Sequence, residues 1–362
     1  MNTNHNNYCI LLAGGVGKRL WPHSTSLCPK QFIDFFGTGK SLLQHTFERV
    51  SRIIPSENIY ISTYERYIEQ VRTQLPQISL SQILTEPVQM STAAAVAWAN
   101  IHIVLQNPKA NILVTPCDQL VLDAERYVSD VQTALSYTAE SDKLLALGVQ
   151  AATPNTAYGY VQTGNELSDE LYTIRSFSEK PDTNYAKTFV ESGEFLWNTG
   201  LFAWNAQSFI AHLPALMPQL AESLESATAD LRQGQDLQFV KTLYPTDNRT
   251  SIDLVILSHT ETALIKRCSF GWADIGSWPQ LYDNAEKDPE GNVVLNDAKA
   301  IFDHASHNLV SLPAGQLAVI DRLDGYLVAQ HNNVLLICPN DDPALAKKYF
   351  KDVNSLFGGE YV

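Results

Sequence analysis

Acidic side chains are missing from the start of this chain. No Asp or Glu occurs before Asp34, although the 362 residues carry 39 Asp and Glu against 25 Lys and Arg. The net charge of −14 excludes an extended basic face, and with it nucleic acid or an anionic membrane as partner. Any nucleotide handled here is met singly, in a local basic pocket. Cysteine is scarce: five residues, at 9, 28, 117, 268 and 338, with no C-x-x-C pair. That excludes a disulfide framework or a zinc site and predicts reduced thiols. No apolar run approaches the length of a membrane span, and MNTNHNN lacks the basic-then-apolar pattern of a secretory leader. A cytoplasmic protein is expected. A hydrophobic content of 45% supports a full core, and the length suits one large domain and a smaller one.

What is there begins with Tyr8 to Ile33, YCILLAGGVGKRLWPHSTSLCPKQFI. Cys9 to Leu12 is long enough for one buried strand, and it runs directly into Ala13-Gly14-Gly15-Val16-Gly17. Three glycines let the backbone approach a ligand closely, and exposed N–H groups in such a turn form an anion-binding concavity. Lys18, Arg19 and Lys30 add positive charge. Two familiar glycine loops are excluded by spacing. The dinucleotide fingerprint G-x-G-x-x-G fails at Leu20, and a P-loop would need Ser or Thr where Arg19 stands. A glycine-rich basic opening in an acidic chain predicts a phosphate cradle.

Strand and helix signals alternate from there to Asp118. Leu43, Phe47, Val50 and Ile54 share one helix face, Asn58–Ser62 is a strand, and Tyr64–Leu75 is a helix. Ser91 and Thr92 are placed to cap an alanine-rich helix from Ala93 to Gln106. Ile112-Leu113-Val114 is a strand that delivers Asp118 past its carboxyl end. The alternation predicts an α/β fold with a doubly wound, mostly parallel, Rossmann-like sheet. Ligands of such sheets lie beyond the carboxyl ends of the strands, so the glycine turn and Asp118 are expected on one edge. Strands are also expected at Leu144–Val149 and Leu171–Phe177, and a turn leading into a strand at Trp197–Trp204. A long helix from Ser208 to about Arg232 is broken near Pro214 and Pro218. After residue 290 the texture becomes β-rich, in short pieces at Asn292–Leu295, Leu309–Leu312, Leu317–Ile320, Gly325–Ala329 and Val334–Cys338, with a last helix over Asp342–Val353. The expected domains are 1–290 and a smaller β-rich 291–362.

Leu12 to Phe32 follows, without a gap, the pattern LAGGxGxRLWPxSxxxxPKQF, and on these residues the chain resembles the sugar-1-phosphate nucleotidyltransferases, among them the mannose-1-phosphate guanylyltransferases. Six separated motifs carry the likeness over about the first 280 residues. The resemblance implies magnesium-dependent transfer of GMP from GTP to mannose 1-phosphate, giving GDP-mannose and pyrophosphate. It places Gly14, Gly15 and Gly17 against the nucleotide, Arg19 on the β- and γ-phosphates and Lys30 on the α-phosphate. Asp118, in Pro116-Cys117-Asp118-Gln119, and Asp274, in Gly271-Trp272-Ala273-Asp274-Ile275-Gly276-Ser277-Trp278, are the implied magnesium ligands. Gly159 of Tyr158-Gly159-Tyr160, Glu179 and Lys180 of Ser178-Glu179-Lys180-Pro181, and Asn198 of Trp197-Asn198-Thr199-Gly200 are implied contacts of the sugar phosphate. Similar proteins carry a β-helix-like tail that supports packing or dimerisation, so a homodimer is one expected assembly. With 362 residues there is no room for the isomerase domain of the two-domain members, and no isomerase activity is expected.

The residues depart from the pattern near the base. Met90 and Ser91 stand where arginine and asparagine are usual, and Cys117 and Gln119 replace alanine and histidine. Another sugar 1-phosphate, another base, or a catalytically silent relative that binds a sugar nucleotide therefore stay open as alternatives. Transfer between two polyanions needs positioning and charge neutralisation more than covalent help, and the residues above are of the types that supply both.

Overall fold

The structure, a computed structural model, describes residues 5–86, 91–223 and 250–362. Met90 lies outside the described residues, as does the end of the helix expected to reach Arg232. The chain divides into two compact units. The first comprises Met1–Gly14, Phe47–Pro116 and Val121–Trp272; the second comprises Gly15–Thr46, Cys117–Leu120 and Ala273–Val362.

The first unit is built on β1 (Asn7–Leu12), β2 (Ile59–Tyr64), β3 (Ile83–Glu86), β4 (Asn111–Pro116), β6 (Leu144–Gln150), β7 (Gly159–Ser168), β8 (Leu171–Glu179), β9 (Phe195–Asn205) and β10 (Ala263–Cys268). The short β5 (Gln119–Val121) pairs separately with β11 (Trp272–Asp274). The nine strands form one sheet in the order β3-β2-β1-β4-β9-β6-β10-β8-β7. The expected α/β sheet is present, with β3, β2, β1 and β4 mutually parallel. Cys9, Ile10 and Leu11 are wholly buried, as the continuous apolar run of a central parallel strand requires. Leu12 pairs with Pro116, so β1 and β4 end level. Past β4 the sheet becomes mixed, because β9 runs antiparallel to both β4 and β6.

Two local expectations are corrected. The turn expected at Trp197-Asn198-Thr199-Gly200 is internal to the single long strand β9. Gly200 has φ +72° and the β6–β9 register shifts between Leu147 and Gly148, so the turn-forming residues make a bulge. The helix Thr92–Gln106 has Ser91 at its N-cap without a side-chain cap bond, while the Thr92 hydroxyl accepts from the Ile252 amide at 2.9 Å. Ala93, Ala94, Ala97, Ala99 and Trp98 are buried in the main core of the unit, which explains a helix that is apolar all round. The helix Ala206–Leu216 carries Pro214 within it, and helix resumes over 218–223 after a break at Met217.

The second unit holds the β-rich tail. β12 (Val293–Leu295), β14 (Leu309–Ser311) and β16 (Tyr326–His331) stack in parallel, with Val293, Leu309 and Leu327 in register, and β17 (Val334–Pro339) closes the sheet antiparallel. A strand that sequence patterning overlooked, β13 (Lys299–Asp303), pairs in parallel with β15 (Leu317–Asp321). The last helix is Leu345–Phe357. One core joins the tail to the opening loop of the same unit: Leu20, Trp21, Phe35, Ile275 and Trp278 are buried with Leu309, Leu327, Leu336 and Phe350. Trp278 Nε1 donates to the Trp21 carbonyl at 2.8 Å, and Trp21 Nε1 donates to the Tyr361 carbonyl at 2.8 Å.

Candidate active site

Arg19, Lys30, Asp118 and Asp274 meet within the second unit. Gly17 adopts φ +67° just ahead of the short turn Lys18–Leu20, and a Cβ there would lie 2.8 Å from Ser24 Oγ and 2.9 Å from Lys30 Cγ. Only glycine fits that corner. Ser24 Oγ in turn donates to the Val16 carbonyl at 2.6 Å and fixes the loop. Lys30 opens a second short turn, Lys30–Phe32, and is buried.

The Lys30 ammonium donates to Asp118 Oδ2 at 2.7 Å and to the Ile275 carbonyl at 3.1 Å, and Asp274 Oδ1 is 4.0 Å away. Burial pulls the lysine pKa down, but the charges of Asp118 and Asp274 and the hydrogen bond to Asp118 outweigh it, and the net shift is upward. Asp274 is pushed up by desolvation; Lys30 opposes that, and Asp118 adds to it. The backbone ties the same groups together, since the Ile275 amide donates to the Asp118 carbonyl at 3.2 Å. Arg19 belongs to the cluster as well. A Cβ on Gly276 would come within 3.0 Å of Arg19 Nη2 and 2.6 Å of Asp274 Oδ2. Lys18 is exposed and lies over the Phe350 ring, with Nζ 4.8 Å from its centroid, which fits a solvated cation.

The implied sugar-phosphate residues belong to the first unit. Gly159 pairs with Glu179 across β7 and β8, and a Cβ on it would meet Glu179 Oε2 at 3.0 Å and the Phe177 ring at 2.9 Å. Lys180, at φ +45°, is ion-paired with Glu179 and donates its amide to the Tyr158 carbonyl. Tyr160 is structural, its hydroxyl bonding the backbone of Asn155. Tyr158 stands edge-on to Trp197 and Trp272. Asn198 is held at both ends of its amide: Oδ1 accepts from the Gly200 amide at 3.1 Å, and Nδ2 donates to Asp253 Oδ1 at 2.6 Å. Desolvation pushes the Asp253 carboxyl up, against that hydrogen bond. Gly14, also in this unit, has Tyr64 Oη 3.3 Å from a would-be Cβ, whereas Gly15 of the second unit has open space there.

Two polar residues next to the sequence motifs were overlooked. Asp253 follows Ser251, which caps the helix Ile252–Leu257, and Gln280 stands three residues after Ser277 in a capping-box spacing. The capping patterns were the available signal for both. Ser91, where the sequence departs from the family pattern, is the N-cap of its helix. Gln119 is buried at the start of β5. Among the described residues no group of three or more His, Cys, Asp and Glu side chains could hold a metal ion. The pair Asp118 and Asp274 offers carboxylate oxygens of the kind a hard divalent cation takes.

Comparison with known proteins decides the family. The sequence profile described as "Nucleotidyl transferase" matches residues 8–291. The chain belongs to the nucleotidyl transferase family. The mannose-1-phosphate guanylyltransferase of Salmonella montevideo is 34% identical to this nucleotidyltransferase over 343 residues, covering 90% of this chain and 71% of that protein. The mannose-1-phosphate guanylyltransferase of Salmonella typhimurium is 31% identical over 341 residues, again 90% of this chain and 70% of that one. A crystal structure described as mannose-1-phosphate geranyltransferase from Thermus thermophilus superposes with a TM-score of 0.85 at 28% identity, over 96% of this chain and 99% of that one. The protein is a nucleotidyltransferase of the mannose-1-phosphate guanylyltransferase-like kind. Among the described residues no helix is long and apolar enough to cross a membrane.

Proposed function

We propose that the protein transfers GMP from GTP to mannose 1-phosphate, with magnesium, and releases pyrophosphate as GDP-mannose forms. The observation that carries this reading is the buried Lys30 ammonium held by Asp118 and Asp274, a cation kept charged by its partners and not by water. In the reaction, an oxygen of the sugar phosphate attacks the α-phosphorus of the triphosphate in line. The bond from that phosphorus to the bridging oxygen breaks, and pyrophosphate carries away its electron pair. No proton transfer is required of a side chain, so the work is positioning and charge neutralisation.

Lys30 neutralises charge building on the α-phosphate, and Arg19 binds the β- and γ-phosphates. The glycine turn at Gly14, Gly15 and Gly17 offers backbone N–H groups to the nucleotide. Gly159, Glu179, Lys180 and Asn198 hold the sugar phosphate, the lysine by charge and the glutamate by accepting from hydroxyls. Asp118 and Asp274 would hold magnesium. Two carboxylates suit that ion, which takes few protein ligands and completes its shell with water and phosphate oxygens. Asp274, raised by desolvation and by Asp118, gains from a further cation. When bound, the ion supplies charge neutralisation on the triphosphate.

The test is pyrophosphate release by the purified protein with magnesium, crossing the common nucleoside triphosphates with a panel of sugar 1-phosphates. Release only with GTP and mannose 1-phosphate supports the reading. Release with another pair renames the substrates. Binding of a sugar nucleotide with no release from any pair identifies a silent relative.

A further inference from the structure

Gln280 is not accounted for by the reaction as described. It sits three residues after Ser277, the N-cap of the helix Trp278–Asn284, where Gln usually turns back to the N-cap amide. Its side chain also reaches beyond the cap. Gln280 Oε1 accepts from the Gly276 amide at 3.1 Å and from Ser277 Oγ at 3.0 Å, and Nε2 donates to Asp274 Oδ2 at 3.5 Å. The two oxygens of Asp274 are therefore assigned differently: Oδ1 lies on the side of Lys30 and Oδ2 on the side of Gln280. Gln280 and Ser277 are buried, so water does not substitute for these bonds. Gly276 makes the contact feasible, because a Cβ there would lie 2.6 Å from Asp274 Oδ2 and 2.9 Å from Gln280 Oε1.

We propose that Gln280 is a positioning residue that fixes the rotation of the Asp274 carboxylate, so that Oδ1 is the oxygen presented to a divalent cation. The inference rests on the metal reading above. A carboxylate held by one bond turns freely about its Cβ–Cγ axis; an amide on the second oxygen removes that freedom, as outer partners of ligands generally do. A plain helix-capping role would use only the oxygen of Gln280. The donated N–H is what separates the two roles.

The experiment is Mn2+ binding measured by electron paramagnetic resonance in wild type, Asp274→Ala and Gln280→Met, with thermal midpoints alongside. Asp274→Ala is expected to abolish the site and Gln280→Met to weaken it about tenfold or more. Gln280→Met cannot donate, and its thermal midpoint shows whether loss of the two acceptor bonds disturbs the fold. Its kcat for pyrophosphate release is expected to fall about tenfold or more, with the nucleotide KM within about threefold of wild type. Mn2+ affinity within about twofold of wild type, or an unchanged kcat, in a Gln280→Met protein of wild-type thermal midpoint overturns the inference alone. A wild-type protein without a Mn2+ site sensitive to Asp274→Ala overturns the metal reading and this inference with it.

Discussion

The ammonium of Lys30 lies 2.7 Å from Oδ2 of Asp118, residues 88 positions apart whose contact lies within one compact unit. Removing the lysine leaves two carboxylates with less to balance them. Lys30→Met is expected to lower turnover about a hundredfold or more, as loss of a group that stabilises developing charge does. The Asp274 carboxyl should rise further, since Lys30 is the largest influence opposing its desolvation. Pyrophosphate release and the proton titration of the variant are the measurements; wild-type turnover would remove Lys30 from the mechanism.

Two glycines of the opening turn should behave differently. Gly17→Ala places a Cβ at φ +67° against Ser24 and Lys30, and is expected to cost about 1–2 kcal/mol for the left-handed backbone alone. Gly15→Ala meets open space and carries no such strain. Its stability should match wild type, and if the turn cradles phosphate its nucleotide KM should rise. Urea midpoints and steady-state kinetics on the two variants separate backbone strain from ligand approach.

His23 makes the fold sensitive to acid. It is buried, with Nε2 3.0 Å from Ser311 Oγ and 3.3 Å from Asn296 Nδ2, and its ring lies 5.0 Å from Trp278 and 5.3 Å from His331. Burial and then the charge of His331 push its pKa down to about 3, and burial lowers His331 as well. Between that value and the ordinary histidine range the unfolded chain binds a proton that the folded chain does not. Stability is therefore held at neutral pH and lost as the pH falls below about 6.5, by about 2 kcal/mol at pH 5 for His23 alone. Urea titrations at pH 7 and pH 5 should show this fall, and His23→Gln should flatten it. Equal midpoints for wild type at both pH values would contradict the assignment.

Asn198→Ala frees Asp253 from its 2.6 Å bond and leaves a desolvated carboxyl without its amide partner. The expected result is a rise of about tenfold in the KM for sugar 1-phosphate, the scale of a hydrogen bond to a charged group, with the nucleotide KM unchanged. A shift in the nucleotide KM instead would move Asn198 out of the sugar site.

Much of this was readable in advance because the informative residues sit in short contiguous runs. The apolar run ending at Leu12 could only be a buried strand, and it occupies the middle of the parallel half of the sheet. Arg19, Lys30, Asp118 and Asp274 lie in three segments remote in sequence, yet each carried its own local pattern, and the structure brings them together. Where bonds cross between segments, local pattern was silent. Thr92 looked like a cap but serves the amide of Ile252. Asn198-Thr199-Gly200 has the composition of a turn, but in β9 it is a bulge between strands on both sides. β13 alternates exposed Lys299, Ile301 and Asp303 with half-buried neighbours, too weak a pattern to stand out from a loop. Gln280 shows the limit most directly: its spacing marks a helix end, and only the fold reveals that Asp274 Oδ2 lies opposite its N–H.

The bond from the Trp21 indole to the Tyr361 carbonyl ties the opening loop to a residue 340 positions later. Residues near the amino end emerge first from the ribosome, yet the core that shapes their loop includes Leu327, Leu336 and Phe350. The core around that loop is therefore complete only once those later residues have been made. A prematurely terminated chain lacking the tail would keep every residue of the LAGGxGxRLWP run and still be without the core that forms the loop.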